Sequence, residues 1–367
     1  MIVYFYVILW ITASGLLLRA SGVELNCEKK KEKNIVAVYL LMTMGIYVVL
    51  SGLRSGIADT PAYIFTFQVT PADLSYIAEF IRADFTGIGF NLLRVLIKVF
   101  ISQDYHVFLF IIAAISGFFV ARGIQKYSTN AFSSMLLFML TGTYTWMLNG
   151  IRQFLVVAIY FSAMDLIVEK KYFKYILLSL LLTTVHTSAI IMLPMIFIVT
   201  GETFNRRTIL VLLATMVAVS AVSSFTSILS GVLEGTAYEG YTQQFMEDDG
   251  VNPLRVLVYS MPCILAFIHR KKIAELNDPK LNVLVNFSLM AVAMSLLALV
   301  TSGILIGRLI MYFSIFSLAL IPWLIRDIFK SSAGAASAIM YVLYGVYWYL
   351  NFQDYYYISD VLHLYVF

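Results

Sequence analysis

Long apolar runs alternate with short charged bursts along the chain. No Asp, Glu, Lys or Arg occurs in residues 1–18, 34–53, 105–121, 127–151, 175–201, 208–233, 281–307, 309–325 and 331–353. About 20 helical residues cross a hydrocarbon core, so each run reads as one or more membrane helices. Two further stretches, 152–168 and 254–269, are apolar with charge only near an end and read the same way. Residues 1–18 have neither a basic leading region nor a small-residue cleavage site, so they are expected to stay as an anchor. The pattern predicts an all-α, polytopic integral membrane protein: one transmembrane domain over 1–367, with about twelve membrane helices.

The cations orient it. Segments 19–33, 122–126, 169–174, 206–207, 270–280 and 326–330 are all net basic, which puts all six in the cytoplasm under the positive-inside rule. The N-terminus then lies outside, with external loops at about 54–104 and 225–253, the second carrying Glu234, Glu239, Glu247, Asp248 and Asp249. This arrangement requires 87–102 not to cross and 172–200 to cross an even number of times. Asn91, Arg94 and Lys98 form one helical stripe, as an amphipathic external helix lying in the interface would have. Residues 172–200 would form two half-length helices meeting near His186, with Pro194 in the second. A rival topology lets both segments cross once, placing the Arg122 and Lys170 loops outside and Arg152 inside.

Composition leaves no room for a separate soluble domain. Of the 367 residues 61% are apolar and 13% charged, against about 45–50% and 25% in soluble domains. The net charge of +4 comes from the loop bursts, so nucleic acid is not an expected partner; the bilayer is. Cys27 and Cys263 form no CxxC pair, which disfavours redox and zinc chemistry. There is no Walker A, GxGxxG, HExxH or DxD motif, and no internal repeat is apparent, so ATP-driven transport and metal-bound nucleotide-sugar chemistry lose support. No metal and no cofactor are expected.

The unusual polar residues gather on one side. Arg54 and Asp59 follow the second helix, Arg152 opens a helix after the Asn149-Gly150 turn, His186 tops the hairpin, and Arg308 opens another helix. Ionisable residues at helix ends within a bundle pair or serve a ligand. Each has a plainer alternative: Arg54 and Arg308 could snorkel to headgroups, Asp59 could cap a helix beginning at Pro61, and hydroxyls around His186 could satisfy its ring. Arg152 differs because Asn149 and Gln153 accompany it in an apolar stretch.

In order and spacing, Arg54-Ser-Gly-Ile-Ala-Asp59-Thr-Pro-Ala-Tyr63, Asn149-Gly-Ile-Arg152-Gln153, His186-Thr-Ser-Ala-Ile and Gly307-Arg308 with Tyr312-Phe313 and Pro322 resemble the EpsG family of bacterial exopolysaccharide and capsule membrane proteins, similar to Wzy-type O-antigen polymerases. One departure is Ala58, where a glycine is expected before the aspartate. The resemblance implies a metal-independent glycosyltransferase at the outer face of the bacterial cytoplasmic membrane. It would move a growing glycan from undecaprenyl pyrophosphate onto the next lipid-linked repeat. Arg152, Arg308 and Arg54 would hold the leaving pyrophosphate as guanidinium forks. His186, then Asp59, would serve as general base, and Tyr63, Asn149 and Gln153 would make weaker substrate contacts. A flippase and a chain-length regulator are the candidate protein partners. A glycan ligase using the same donor, or a non-catalytic exporter of lipid-linked glycan, are the competing readings.

Overall fold

The structure, a computed structural model, describes residues 1–77, 87–221, 250–303 and 306–364. Most of the expected loop at 225–253 therefore lies outside the described residues. The chain is a polytopic all-α membrane protein. Among the described residues, five helical stretches are long and apolar enough to cross a membrane: Ile2–Ala20, Lys30–Leu53, Tyr105–Tyr127, Pro279–Leu299 and Ser317–Phe352. Ala131–Leu140 and Thr143–Asn149, bent by 59°, together make a sixth, and shorter apolar helices cover Ile151–Ser162, Tyr172–Val185, Thr187–Ile198 and Pro253–Ile268.

Residues 1–193 with 325–367 form one compact unit and 194–324 a second. In the first unit we label α1 (Ile2–Ala20), α2 (Lys33–Leu53), α3 (Thr60–Val69), α4 (Ile88–Phe100), α5 (Tyr105–Tyr127), α6 (Ala131–Leu140), α7 (Thr143–Asn149), α8 (Ile151–Ser162) and α9 (Tyr172–Val185). Starts are set locally. The Asp104 carboxylate accepts from the His106 N–H at 2.8 Å to open α5, and Asn130 Oδ1 accepts from the Ser133 N–H at 2.9 Å to open α6.

Helices α2 and α5 run antiparallel. His106, at the start of α5, reaches the Gly52 carbonyl at the end of α2, while Gln125 at the other end of α5 donates to the Lys33 carbonyl that begins α2. A Cβ on Gly117 would stand within 3 Å of Met44 and Val48 side-chain atoms, so this small residue lets the two helices pack closely. At the Lys33 end, Lys126 pairs with Asp165 at 3.0 Å, and Arg326 pairs with Glu28. Asn130 donates to the Glu24 carbonyl at 2.9 Å, bringing the start of α6 to the same end. All four basic segments of this unit, 19–33, 122–126, 169–174 and 326–330, thus share one end of the helix bundle. We call it the basic end.

The bent α6–α7 pair runs from there to the opposite end, and α8 returns. Helix α9 leaves the basic end and stops at His186 after 14 residues, about 21 Å. The chain then reverses: the Tyr175 hydroxyl near the start of α9 donates to the Met192 carbonyl at 2.8 Å. This is the half-length hairpin with His186 at its tip that the basic-loop topology requires.

Helix α4 forms where the amphipathic stripe predicts it, with its charges facing inward. Arg94 and Lys98 are 7% and 8% exposed, whereas Leu92, Leu96 and Phe100 on other faces are open. The helix shows protein its polar stripe and keeps an apolar face outside, because Lys98 finds the Phe67 and Gln68 carbonyls at 2.6 and 2.8 Å and closes the C-terminus of α3.

The second unit is described on its own. Its helices are α10 (Arg206–Ser220), α11 (Pro253–Ile268), α12 (Arg270–Leu276) and α13 (Pro279–Leu299). Helix α13 is its centre, with Phe287 stacked on Phe316 at 3.9 Å. Phe204 packs on Phe267 at 5.5 Å and donates its N–H to Asn286 Oδ1, so Arg206 and Arg270 open helices at one end. At the other end the Val251 N–H donates to the Ala298 carbonyl at 3.0 Å, with Gly307 beside Val251.

Candidate functional site

Arg54 closes α2 and turns into the protein. It is 1% exposed, so its side chain does not snorkel. Its Nε donates to Thr60 Oγ1 at 2.9 Å and its Nη1 to the Ser51 carbonyl. Its Nη2 is buried with no hydrogen-bond partner among the described residues. Tyr144, Tyr357, Tyr63 and Tyr4 lie within electrostatic reach of it.

The turn after Arg54 is fastened to the α7–α8 corner. Thr60 Oγ1 donates to the Leu148 carbonyl at 3.4 Å, and the Asp59 N–H donates to Asn149 Oδ1 at 3.3 Å. Asp59 occupies the cap position of α3 and its carboxylate makes no cap hydrogen bond. Ala58 sits at φ 45°, in the left-handed region. The backbone thus has the form for which a glycine is expected, and alanine holds it at a cost.

Asn149 and Gln153 are buried, and half-buried Arg152 lies between them in sequence. Its guanidinium carbon stands 5.9 Å from the Phe90 ring centre on α4, a cation–π distance. Its Nε is buried with no hydrogen-bond partner among the described residues. Gly87, at φ 78°, begins α4 beside it: a Cβ there would be 3.3 Å from Arg152 Nη1 and strained by the backbone as well. Gly89 brings α4 against the tip of α9, since its Cβ would press on Thr184 Oγ1 at 2.5 Å.

Helix α4 therefore links Arg152 to the His186 tip. Ile151 and Val185, the neighbours of these residues, pack in one apolar cluster with Phe67, Phe90 and Tyr63. His186 is half-buried in extended backbone, its Nδ1 2.7 Å from Ser188 Oγ. The local hydroxyl foreseen for the ring is present.

Sequence reasoning missed Arg94. On α4 it is near enough to Arg152 that burial first, and then the Arg152 charge, pull its pKa down to about 10. The i, i+3, i+7 stripe signalled the residue, but a stripe cannot tell whether water or protein faces it. The first unit thus brings together Arg54, Asp59, Asn149 and Arg152, with Tyr63, Arg94 and the His186 tip around them. Arg308 belongs to the second unit, half-buried in the turn Gly307–Ile310 at the end away from Arg206 and Arg270.

The family model of the EpsG family matches residues 36–362. The chain belongs to the EpsG family. The match runs from within α2 to beyond Asp360, and so takes in every residue of the cluster. No curated protein and no solved structure matches the chain. For this EpsG-family member, the arrangement is therefore read from its own chemistry: guanidiniums held in a poorly solvated corner with unsatisfied N–H groups, a carboxylate and an imidazole nearby. Such a corner can bind a multiply charged anion and hold a proton acceptor beside it.

Proposed function

We propose that this EpsG-family protein is a polysaccharide polymerase that joins undecaprenyl-pyrophosphate-linked repeats at the outer face of the cytoplasmic membrane. The reading is supported chiefly by one observation: Arg54 and Arg152 are gathered at the end of the first unit away from its basic segments, each with a buried N–H group lacking a hydrogen-bond partner among the described residues. A leaving pyrophosphate supplies the acceptors those donors lack.

In the reaction, an acceptor hydroxyl forms a bond to the anomeric carbon of the donor sugar as the bond from that carbon to the pyrophosphate oxygen breaks. The electron pair leaves with the phosphate, where Arg152 and Arg54 neutralise it. The hydroxyl proton passes to His186 or, on the acceptor side, to Asp59. Tyr63, Asn149 and Gln153 line the approach. Residues that bind only the developing charge lower the barrier without tightening the ground state.

The experiment uses purified protein in lipid with the cells' own lipid-linked repeats, read as a ladder of longer glycans. Arg152→Lys keeps the charge and loses the fork, so ladder formation should fall by about 10²-fold or more in inserted, folded protein. His186→Ala should fall by about 10²- to 10⁴-fold. Ladders equal to wild type from both variants would remove these roles. An exporter would move lipid-linked glycan into the outer leaflet without lengthening it.

A further inference from the structure

A recess lies beside the cluster, walled by the 56–61 turn on one side and the segment after the last helix on the other. It encloses about 410 Å³ and is lined by Gly56, Ile57, Ala58, Pro61, Asp354, Tyr355, Tyr356 and Ile358. We infer that this recess is the glycan subsite for the acceptor repeat, taking a sugar ring against the tyrosines with its hydroxyls on Asp354 and the tyrosine oxygens. The inference rests on the polymerase reading and adds to it the place of the second substrate.

Three observations carry it. The first is chemistry. A pyranose ring shows an apolar C–H face and a rim of hydroxyls, and tyrosine offers both a flat apolar surface and a hydroxyl that donates and accepts. Neither the Asp354 carboxylate nor the hydroxyls of Tyr355 and Tyr356 has a hydrogen-bond partner among the described residues, so their hydrogen-bonding capacity is unspent. The second is charge: no cation lines the recess among the described residues, and Asp354 would repel a phosphate. A sugar fits where the pyrophosphate does not, which separates this subsite from the arginines. The third is position. Ala58 and Pro61 belong to the turn that carries Asp59, so a hydroxyl of a bound acceptor would lie by the acceptor-side carboxylate.

The wall is also fixed in place. The Ser55 N–H donates to the Ile358 carbonyl at 2.9 Å, the Tyr357 hydroxyl donates to the Leu50 carbonyl at 2.8 Å, and Asp360 accepts from the Tyr105 hydroxyl at 2.7 Å. A pre-formed recess of this size lies within the usual range for small-ligand sites, about 300–1,000 Å³. Tyrosines of an interfacial belt would face lipid headgroups and bind no particular solute.

The test uses full-length protein in nanodiscs and, as probe, the repeat oligosaccharide released by mild acid from the cells' own lipid-linked pool. Saturation-transfer NMR measures its binding, and ladder formation is followed against acceptor concentration. The Tyr355→Ala/Tyr356→Ala double variant should weaken oligosaccharide binding and raise the acceptor KM by about tenfold or more, equivalent to about 1.4 kcal/mol, with kcat little changed. Asp354→Asn should weaken binding less. Tyr356→Phe keeps the stacking face and loses one hydroxyl, so it should weaken binding less than the alanine double variant does. Folding of each variant is checked by its melting temperature. No oligosaccharide binding by wild type, or undiminished binding by the folded alanine variant, overturns the subsite. If wild type builds ladders and the alanine variant does so with an unchanged acceptor KM, the subsite fails and the polymerase reading stands. If wild type binds the oligosaccharide through these tyrosines but builds no ladder, the polymerase reading fails and the glycan site stands.

Discussion

The two ends of the first unit carry similar cations in opposite circumstances. At the basic end the charges are answered by acids: Lys126 by Asp165, Lys29 by Glu24, Lys171 by Glu169, and Arg326 by Glu28 and Asp327. These pairs are partly or largely exposed, where an ion pair contributes about 0–1 kcal/mol. At the other end Arg54 and Arg152 make no ion pair among the described residues, and each has a buried N–H group without a partner. Burying a guanidinium without a counter-ion costs several kcal/mol. The basic end thus carries answered, partly exposed charges, and the opposite end carries buried guanidinium groups with no ion pair among the described residues.

The sharpest way to break this comparison is sidedness. In a background with Cys27 and Cys263 changed to Ser, a cysteine at Gly150 should be labelled by an impermeant thiol reagent from outside intact cells, and one at Lys171 should not. The reverse pattern would put the arginine cluster in the cytoplasm and leave the proposed reaction without its compartment.

Next in size is a matched pair of substitutions. Arg54→Met should lower ladder formation by about 10²-fold while leaving the melting temperature equal or higher, because it removes a buried charge that has no counter-ion among the described residues. Lys126→Met at the basic end should leave the ladder within about twofold and cost about 1 kcal/mol or less. A large activity loss at Lys126, or marked unfolding at Arg54, would erase the contrast.

Gly87→Ala should act through geometry, since the added methyl strains the backbone and crowds Arg152 Nη1. We expect about 1–3 kcal/mol of destabilisation and a lower kcat. Wild-type kcat in this variant would show that the exact seating of Arg152 is unimportant.

A smaller effect is expected from acid. Burial alone would raise the Asp360 carboxyl, but the Tyr105 hydroxyl and the His106 charge outweigh it and hold it below the usual carboxylate range. A depressed carboxylate contributes stability above its unfolded pKa and loses it as pH falls through the folded one. The segment holding Tyr355 and Tyr356 should therefore loosen only below about pH 4, seen as faster backbone hydrogen exchange at 357–360 after correction for intrinsic rates. Asp360→Asn should loosen it at neutral pH. Ala58→Gly should give the smallest change, a gain of about 0.5–1 kcal/mol from relieving the left-handed backbone.

Apolar run lengths were enough to determine an all-α polytopic membrane protein, because they depend on bilayer thickness; the distribution of Lys and Arg led to the expectation that Arg54, Asp59, Arg152, His186 and Arg308 share one face. The ordered motifs around Arg54, Asn149, His186 and Arg308 were enough to indicate the EpsG family. Tertiary structure alone decided which way the stripe of α4 faces, that Arg94 stands beside Arg152, and that Tyr355 and Tyr356 close a recess against the 56–61 turn. Helical periodicity identifies a face but not its neighbour, and residues 300 apart in the chain meet only through the packing of the helices between them. The left-handed turn at Ala58 also escaped composition and propensity, since backbone strain is set by contacts at both ends of the turn and not by the residue that bears it.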